Sequence, residues 1–133
     1  MLIIVKEGWI ELYKIYFYRN RNGNQPVLEH IKNLAEKKDK NSRIQLNKIQ
    51  DAIQILKQHG TFAGEPFVKH LEGDIWELRA LRDRILFVAW VQNSYVLLHH
   101  FMKTTQKTPR REIMQAKREL SDLIERTAED GEK

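Results

Sequence analysis

Four strand-like runs joined by short turns constrain the fold of this chain more than any other feature. The runs cover residues 67–71, 75–81, 84–91 and 95–103, and the links between them are two or three residues long. Consecutive strands with such short links pair in antiparallel fashion. We therefore predict an antiparallel meander at the centre of the fold, within residues 68–109.

One more strand and three helices are predicted around the meander. Residues 10–19 are rich in aromatic and β-branched side chains, which favour a strand. Apolar residues at helical spacing predict helices over residues 25–38, 42–59 and 109–126. The fold class is therefore α+β, with an antiparallel sheet of about four to five strands. A helical hairpin follows the first strand, a helix ends the chain, and we expect helices on one side of the sheet only.

Punctuating residues mark the ends of these helices. Pro26 suits the first position of the first helix because its missing N–H costs nothing there. Ser42 with Gln45 fits a capping box at the start of the second helix, and Gly60 fits its end. Thr108 fits the cap of the third helix.

Length and cysteine content restrict the class of protein. The chain has 133 residues and no cysteine, so we expect a single domain over residues 1–133 with a core of about 9–126. Disulfides, zinc–thiolate sites and cysteine nucleophiles are excluded. The apolar start is interrupted by Lys6 and Glu7, so we expect a cytoplasmic protein without a membrane segment.

Basic charge is distributed unevenly along the chain. The formal net charge is +5, and residues 69–111 carry 8 Lys and Arg residues against 4 Asp and Glu residues. Residues 112–133 carry 4 against 7. A basic surplus attracts polyanions, among which nucleic acids are the commonest, although a merely solvated surface is the alternative interpretation.

Strand alternation separates the side chains of the second run into two sets. Trp76, Leu78 and Ala80 share one face, which we expect to pack under the helices, and Glu77 and Arg79 share the other. The third run places Arg84 with Leu86, Val88 and Trp90, and the fourth places His99, Phe101 and Lys103 with Tyr95 and Leu97. Glu77, Arg79, Arg84, Lys103 and His99 would then form a cationic concavity on the open face.

Each of these residues also has a structural explanation. Glu77 and Arg79 could form an ion pair on a solvated face, and His99 could be a structural histidine. No metal-ligand set, phosphate-binding glycine loop or hydrolase nucleophile motif is evident in the sequence.

Three segments resemble a known family when taken together. They are LEGDIWELR (71–79), RILF (84–87) and LLHHFMKTTQKTP (97–109). In this order they resemble HigB-like toxins of the RelE/ParE superfamily of bacterial toxin–antitoxin systems, on a branch also found in phages. The resemblance spans roughly residues 12–122. Thr104 stands where the branch often has a second lysine, and His100 where a small residue is common.

The resemblance implies a fold, an activity and partners. The fold is RelE-like, and the activity is that of a ribosome-dependent mRNA endoribonuclease (an mRNA interferase) that needs no cofactor or metal. A cognate helix-turn-helix antitoxin, similar to HigA, would neutralise it in a heterotetramer of two toxins and two antitoxins. Operator DNA would be contacted only through the antitoxin.

Metal-free RNA cleavage then suggests a role for each candidate. Arg79 and Arg84 would clamp the phosphate, because a guanidinium is always charged and grips two oxygens. The general base would be Glu77 or His99, and the acid Lys103 or His99. RNA backbone contacts would come from Lys69, Lys107 and Arg110. A base could stack on Tyr95 or Trp90, although core packing is the favoured interpretation of Trp90.

Two other functions share these features. One is a ParE-like gyrase poison that cleaves no RNA, which a supercoiling assay beside a translation assay would distinguish. The other is a non-catalytic module that binds nucleic acid or protein within a phage-derived complex, and such a module would not arrest growth.

Overall fold

The computed structural model describes residues 12–131, with side chains described up to residue 129. The elements are β1 (Lys14–Phe17), α1 (Pro26–Glu36), α2 (Lys40–His59), β2 (Val68–Glu72), β3 (Ile75–Ala80), β4 (Asp83–Trp90), β5 (Ser94–Met102) and α3 (Arg110–Gly131). A 3₁₀ turn, Gly60–Ala63, follows α2. None of the helices in residues 12–131 combines the length and apolarity needed to cross a membrane.

The sheet has the strand order β1-β5-β4-β3-β2. Strands β2 to β5 form the antiparallel meander that the short turns predicted, so the α+β prediction is confirmed. β1 runs parallel to β5, with Lys14 opposite Ser94. The long chain between these two strands, which contains the helices and the rest of the meander, makes a parallel pairing possible. The predicted first strand began at residue 10, and residues 10 and 11 lie outside the described part.

Helices cover both faces of the sheet, so the expectation of helices on one side was wrong. On the hairpin face, Ile49 and Leu56 of α2 pack with Phe87. On the opposite face, Ala116 of α3 packs with Leu86. The physical reason is the continuous apolar run in β4: its alternate side chains are apolar in both directions, so both faces must be covered.

A β-bulge in β5 corrects the predicted alternation of that strand. Phe87 pairs with Leu97 while Leu86 pairs with His99, so Leu98 is an extra residue without a partner on β4. Leu97 therefore faces the helical hairpin, whereas His99 lies on the α3 face. The prediction that His99, Phe101 and Lys103 share a face with Tyr95 and Leu97 was wrong.

The start of α2 also differs from the prediction. Asp39 caps this helix, and its carboxylate accepts hydrogen bonds from the Ser42 backbone N–H at 2.9 Å and from the Ser42 hydroxyl at 2.8 Å. Asp is as good a cap as Ser, and here it lies three residues earlier in the chain. Gln45 is consequently not used in capping, and its amide reaches Asp83.

Gly60 ends α2 as predicted, in a conformation that only glycine adopts here without strain. Its φ is +59°, and its N–H donates to Leu56. A Cβ at this position would lie 2.6 Å from the Tyr95 hydroxyl and 2.8 Å from the Tyr13 ring. Gly60 therefore allows the end of α2 to approach the sheet closely.

Candidate active site

The α3 helix covers only part of its face of the sheet, and charged residues lie at the other end. Arg79 on β3 is directly opposite Arg84 on β4, and Arg84 is opposite Phe101 on β5. One row across three strands therefore carries two guanidinium groups and an aromatic ring. The two-residue turn between β3 and β4 closes this end of the sheet.

Glu77 holds this row of residues together. Its carboxylate is 1 % exposed, and one oxygen accepts a hydrogen bond from Arg79 Nε at 3.0 Å and lies 3.9 Å from Arg84 Nε. The other oxygen accepts a hydrogen bond from the Thr108 hydroxyl at 2.6 Å. Both oxygens are therefore engaged, and Glu77 fixes the guanidinium of Arg79.

Arg84 is buried, and its guanidinium binds the local backbone instead of facing solvent. Its Nη1 donates to the backbone oxygen of Leu81 at 2.6 Å and to that of Asp83 at 3.0 Å. Burial lowers the pKa of Arg84 from its ordinary value, and the carboxylate of Glu77 opposes that shift. Arg84 thus fixes the β3–β4 turn, in which Leu81 has a left-handed φ of 57°.

Arg79 lies where three cavities meet. The cavity among Glu77, Arg84 and Lys103 has a volume of only about 10 Å³. A groove of about 990 Å³ lies between α2 and the β3–β4 turn. A second groove, of about 760 Å³, lies between β2 and residues 104–111. Since Arg79 lines all three, a ligand of nucleotide size in either groove would meet Arg79.

The second groove is basic and contains all three predicted backbone-binding residues. Lys69, Lys107 and Arg110 line it together with Arg79 and Arg111. We call it the basic groove. No Asp or Glu lines it, although Arg110 forms a bidentate ion pair with the nearby Glu72.

Arg110 is therefore less available to a ligand than the two lysines. Hydrogen bonds from Arg110 and Lys117 lower the pKa of Glu72 to about 2, so the pair is fully ionised at neutral pH. The amines of Lys69 and Lys107 form no ion pair with any residue in the described part of the chain.

The structure separates His99 from the other catalytic candidates. Its Nε2 lies 2.7 Å from Oε1 of Glu112, at the start of α3, and His99 lines neither the small cavity nor the basic groove. Lys103 does line the small cavity, and its backbone N–H donates to Arg82 at 2.7 Å. Four of the five predicted catalytic residues, all except His99, therefore line the small cavity, which we call the cleft.

Two residues of the cleft were missed, and one aromatic prediction was wrong. Thr108 was interpreted only as a helix cap, and Phe101 only as part of a strand, although both lie in the segment 97–109 that carries the family resemblance. Tyr95 is 5 % exposed and accepts a hydrogen bond from the backbone N–H of Thr61 at 3.1 Å. Tyr95 is therefore a core residue and cannot stack a base, and Trp90 packs in the core beneath α3.

Comparison with protein families places the chain in one of them. Residues 29–121, which are well over half of the sequence, match the family described as phage-derived protein Gp49-like (DUF891). The chain belongs to the Gp49-like phage-derived family. Gp49-like proteins are related to RelE- and HigB-like toxins of toxin–antitoxin systems. The match runs from within α1 into α3 and contains the whole cleft. No curated protein matches the sequence.

Proposed function

We propose that this Gp49-like protein is the toxin of a type II toxin–antitoxin system and cleaves mRNA at the ribosome without a metal ion. Family membership supports a toxin in general. The observation that carries the proposal is Arg79, which is fixed by Glu77 and lines both the small cavity and the basic groove. A guanidinium fixed in this way suits a phosphodiester more than a neutral substrate.

The proposed reaction is an internal transesterification. The 2′-oxygen attacks phosphorus, a new P–O2′ bond forms, and the P–O5′ bond breaks, which leaves a 2′,3′-cyclic phosphate and a 5′-hydroxyl. One proton leaves the 2′-hydroxyl and one is delivered to the 5′-oxygen. Arg79 would bind the non-bridging oxygens and stabilise the charge of the pentacovalent intermediate, while Arg84 and Glu77 hold Arg79 in place.

We assign the proton-transfer roles from the hydrogen bonds and ion pairs that each candidate side chain already makes. The amine of Lys103 forms no ion pair with the described residues and lines the cleft, so we assign it to the leaving group. Glu77 has both oxygens engaged, which favours a positioning role. His99 forms a carboxylate–imidazole pair with Glu112, an arrangement typical of a general base.

His99 can serve as the base only if the ribosome-bound RNA reaches it from the cleft. The pH dependence of cleavage in His99→Ala and Glu77→Gln variants separates the two candidates. Loss of the acidic limb of the profile in one variant identifies that residue as the base.

The RNA backbone would follow the basic groove. Lys69 and Lys107 would contact phosphates along it, with a smaller part for Arg110 because of its pair with Glu72. Such contacts make binding salt-dependent and independent of sequence. Codon preference would then come from pairing within the ribosome rather than from this groove.

The proposed partner is a helix-turn-helix antitoxin similar to HigA, in a heterotetramer of two toxins and two antitoxins in the cytoplasm. Operator DNA would be bound by the antitoxin alone. Co-expression with the neighbouring gene tests this: a small helix-turn-helix protein encoded there should restore growth and co-purify with the toxin. Growth arrest that persists during co-expression would count against it.

Arg79→Ala and Arg84→Ala test the function directly. Each should reduce mRNA cleavage on translating ribosomes by roughly 100-fold or more and relieve growth arrest. The control is Arg43→Ala, since Arg43 is exposed on α2 and its side chain, among the described residues, hydrogen-bonds only to the backbone oxygen of Lys38. Full toxicity in both folded variants would sink the proposal.

Two outcomes of the same experiment favour the other functions. Growth arrest with intact mRNA and inhibited DNA supercoiling indicates a gyrase poison. A wild-type protein that arrests neither growth nor translation indicates a non-catalytic binding module.

A further inference from the structure

A second cluster of chemically active side chains lies on the opposite face of β4 from Arg84. Its centre is Asp83, whose side chain is 0 % exposed. His30 Nε2, from α1, lies 3.1 Å from Asp83 Oδ1, and His100 Nε2, from β5, lies 2.8 Å from the same oxygen. The two imidazoles therefore converge on a single carboxylate oxygen.

Gln45 fixes the other side of this carboxylate. Its amide donates to Asp83 Oδ2 at 3.1 Å, so Oδ2 is engaged and Oδ1 faces the histidines. The cluster therefore brings one carboxylate oxygen and two imidazole nitrogens to a single point.

We propose that His30, Asp83 and His100 form a binding site for a divalent first-row transition metal ion of the Zn²⁺ class. Two imidazole nitrogens and one carboxylate oxygen are a donor set that such ions prefer. The three donor atoms all lie within 4.8 Å of one another. Bonds of about 2.0–2.1 Å in a tetrahedral site put ligand atoms about 3.3 Å apart. The distances from Asp83 Oδ1 to the two Nε2 atoms, 3.1 and 2.8 Å, lie within about half an ångström of that spacing.

The stacked imidazoles bring both Nε2 atoms to one point. The two rings stack with centroids 3.5 Å apart and an interplanar angle of 19°, and each Nε2 contacts the same oxygen of Asp83. Neutral imidazole is the form that binds metals. A neutral ring carries its proton on Nδ1 when Nε2 binds the metal.

The site is accessible and connects several elements. His30 and His100 are 20 % and 17 % exposed, whereas Asp83 is buried, so an ion can enter past the ring edges. The four side chains come from α1, α2, β4 and β5. A bound ion would therefore connect the helical hairpin to the sheet. Its proposed ligand Asp83 is adjacent in sequence to Arg84, which lines the cleft.

The spacing of these residues gives no metal motif, because they are far apart in the chain. His30 and Asp83 are separated by 53 positions and Asp83 and His100 by 17. The sequence therefore indicated no metal site, and only the folded chain places these residues together.

Metal titration of the intact, tag-free protein tests the site. After removal of metals with EDTA, Co²⁺ is added and its visible absorption recorded, and Zn²⁺ affinity is measured by calorimetry. One ion per chain is expected, with affinity at least tenfold weaker in His30→Ala and in His100→Ala. His70→Ala is the matched control, since His70 is exposed and, among the described residues, its ring hydrogen-bonds to the backbone oxygen of Gly73 and packs against the Trp76 ring.

Unfolding experiments keep the test decisive if a histidine variant folds poorly. Zn²⁺ should raise the melting temperature of the wild type and of His70→Ala by several degrees, and leave that of Asp83→Asn and His30→Ala unchanged. Wild-type protein that binds no ion, or unchanged affinity in both His30→Ala and His100→Ala, would overturn the proposal. RNA cleavage is not measured here, so failure of this site leaves the proposed toxin activity untouched.

Discussion

Asp83 and Arg84 are neighbours on β4, yet their side chains belong to opposite environments. Asp83 points to the helical hairpin, where His30, His100 and Gln45 surround it. Arg84 points to the cleft, where it meets two backbone oxygens and Glu77. Since alternate residues of a strand face opposite sides of a sheet, one step along the chain changes the sign of the local charge.

The two regions differ in how completely their charge is compensated. On the hairpin face, the Asp83 carboxylate is surrounded by two imidazoles and one amide, a set of groups suited to a cation. The small cavity on the other face is lined by four cationic residues and a single carboxylate, which leaves a positive site suited to phosphate. The net charge of each buried cluster therefore indicates which ligand it can bind. The burial of any one residue does not.

The largest expected effect comes from Arg84→Lys, which keeps the charge and removes the guanidinium. A lysine cannot donate to the oxygens of Leu81 and Asp83 while also facing Glu77. We expect cleavage on ribosomes to fall by about 100-fold, with the protein still folded by circular dichroism. Arg43→Lys is the control, and wild-type cleavage by Arg84→Lys would show that only charge matters in the cleft.

Asp83→Ala should affect stability rather than activity. It removes the acceptor of three donors and leaves a small cavity under the hairpin, and we expect a loss of about 3 kcal/mol in the free energy of unfolding. Urea denaturation with EDTA present measures this loss. Cleavage per folded molecule should stay close to the wild-type value, and a loss as large as that of Arg84→Lys would mean that the two faces are not independent.

Glu119 on α3 sharpens the contrast, because a hydrogen bond with Gln115 and the charge of Arg118 compensate its burial only in part. Its Oε1 is buried without a hydrogen-bond partner among the described residues, and burial raises the pKa of Glu119 to about 7. The folded protein therefore holds a proton that the unfolded chain releases above the ordinary pKa of 4.5. Stability decreases as the pH rises from that value to about 7.

Glu119→Gln should remove this decrease. We expect little change in unfolding free energy near pH 4, where Glu119 is mostly protonated in both states, and a gain on the order of 3 kcal/mol near pH 8, where the folded protein otherwise buries a charge. Urea denaturation at both pH values measures the gain. Glu125→Gln, at an exposed position of the same helix, serves as the control, and an equal gain at both pH values would contradict the explanation.

The smallest expected effect concerns the two turns at the ends of β4. Leu81 has a φ of 57° and Gln92, in the next turn, a φ of 56°, although neither is a glycine or asparagine. Leu81→Asn and Gln92→Asn should each raise the unfolding free energy by up to about 1 kcal/mol. A gain at Gln92 alone would indicate that the Leu81 side chain itself stabilises the wall of the groove between α2 and the β3–β4 turn.

Local sequence patterns were sufficient to predict the helices and strands and some of the residues of the cleft. Period-two alternation correctly separated Glu77 and Arg79 from Leu78, because β3 is a regular strand. The same rule failed for His99, since the extra residue Leu98 reverses the alternation within β5. The apolar run of β4 contained a signal for helices on both faces, and the prediction of one covered face overlooked it.

The sequence by itself determined which segments form strands and helices, where α2 ends, and that basic charge is concentrated in residues 69–111. These properties depend on periodicity and on local backbone preferences, which a chain carries without its fold. Only the tertiary structure decided which charges meet: Thr108 with Glu77, Glu112 with His99, and Asp83 with His30 and His100. The reason is that such contacts depend on sheet register, on a bulge and on the docking of helices, none of which a local pattern encodes.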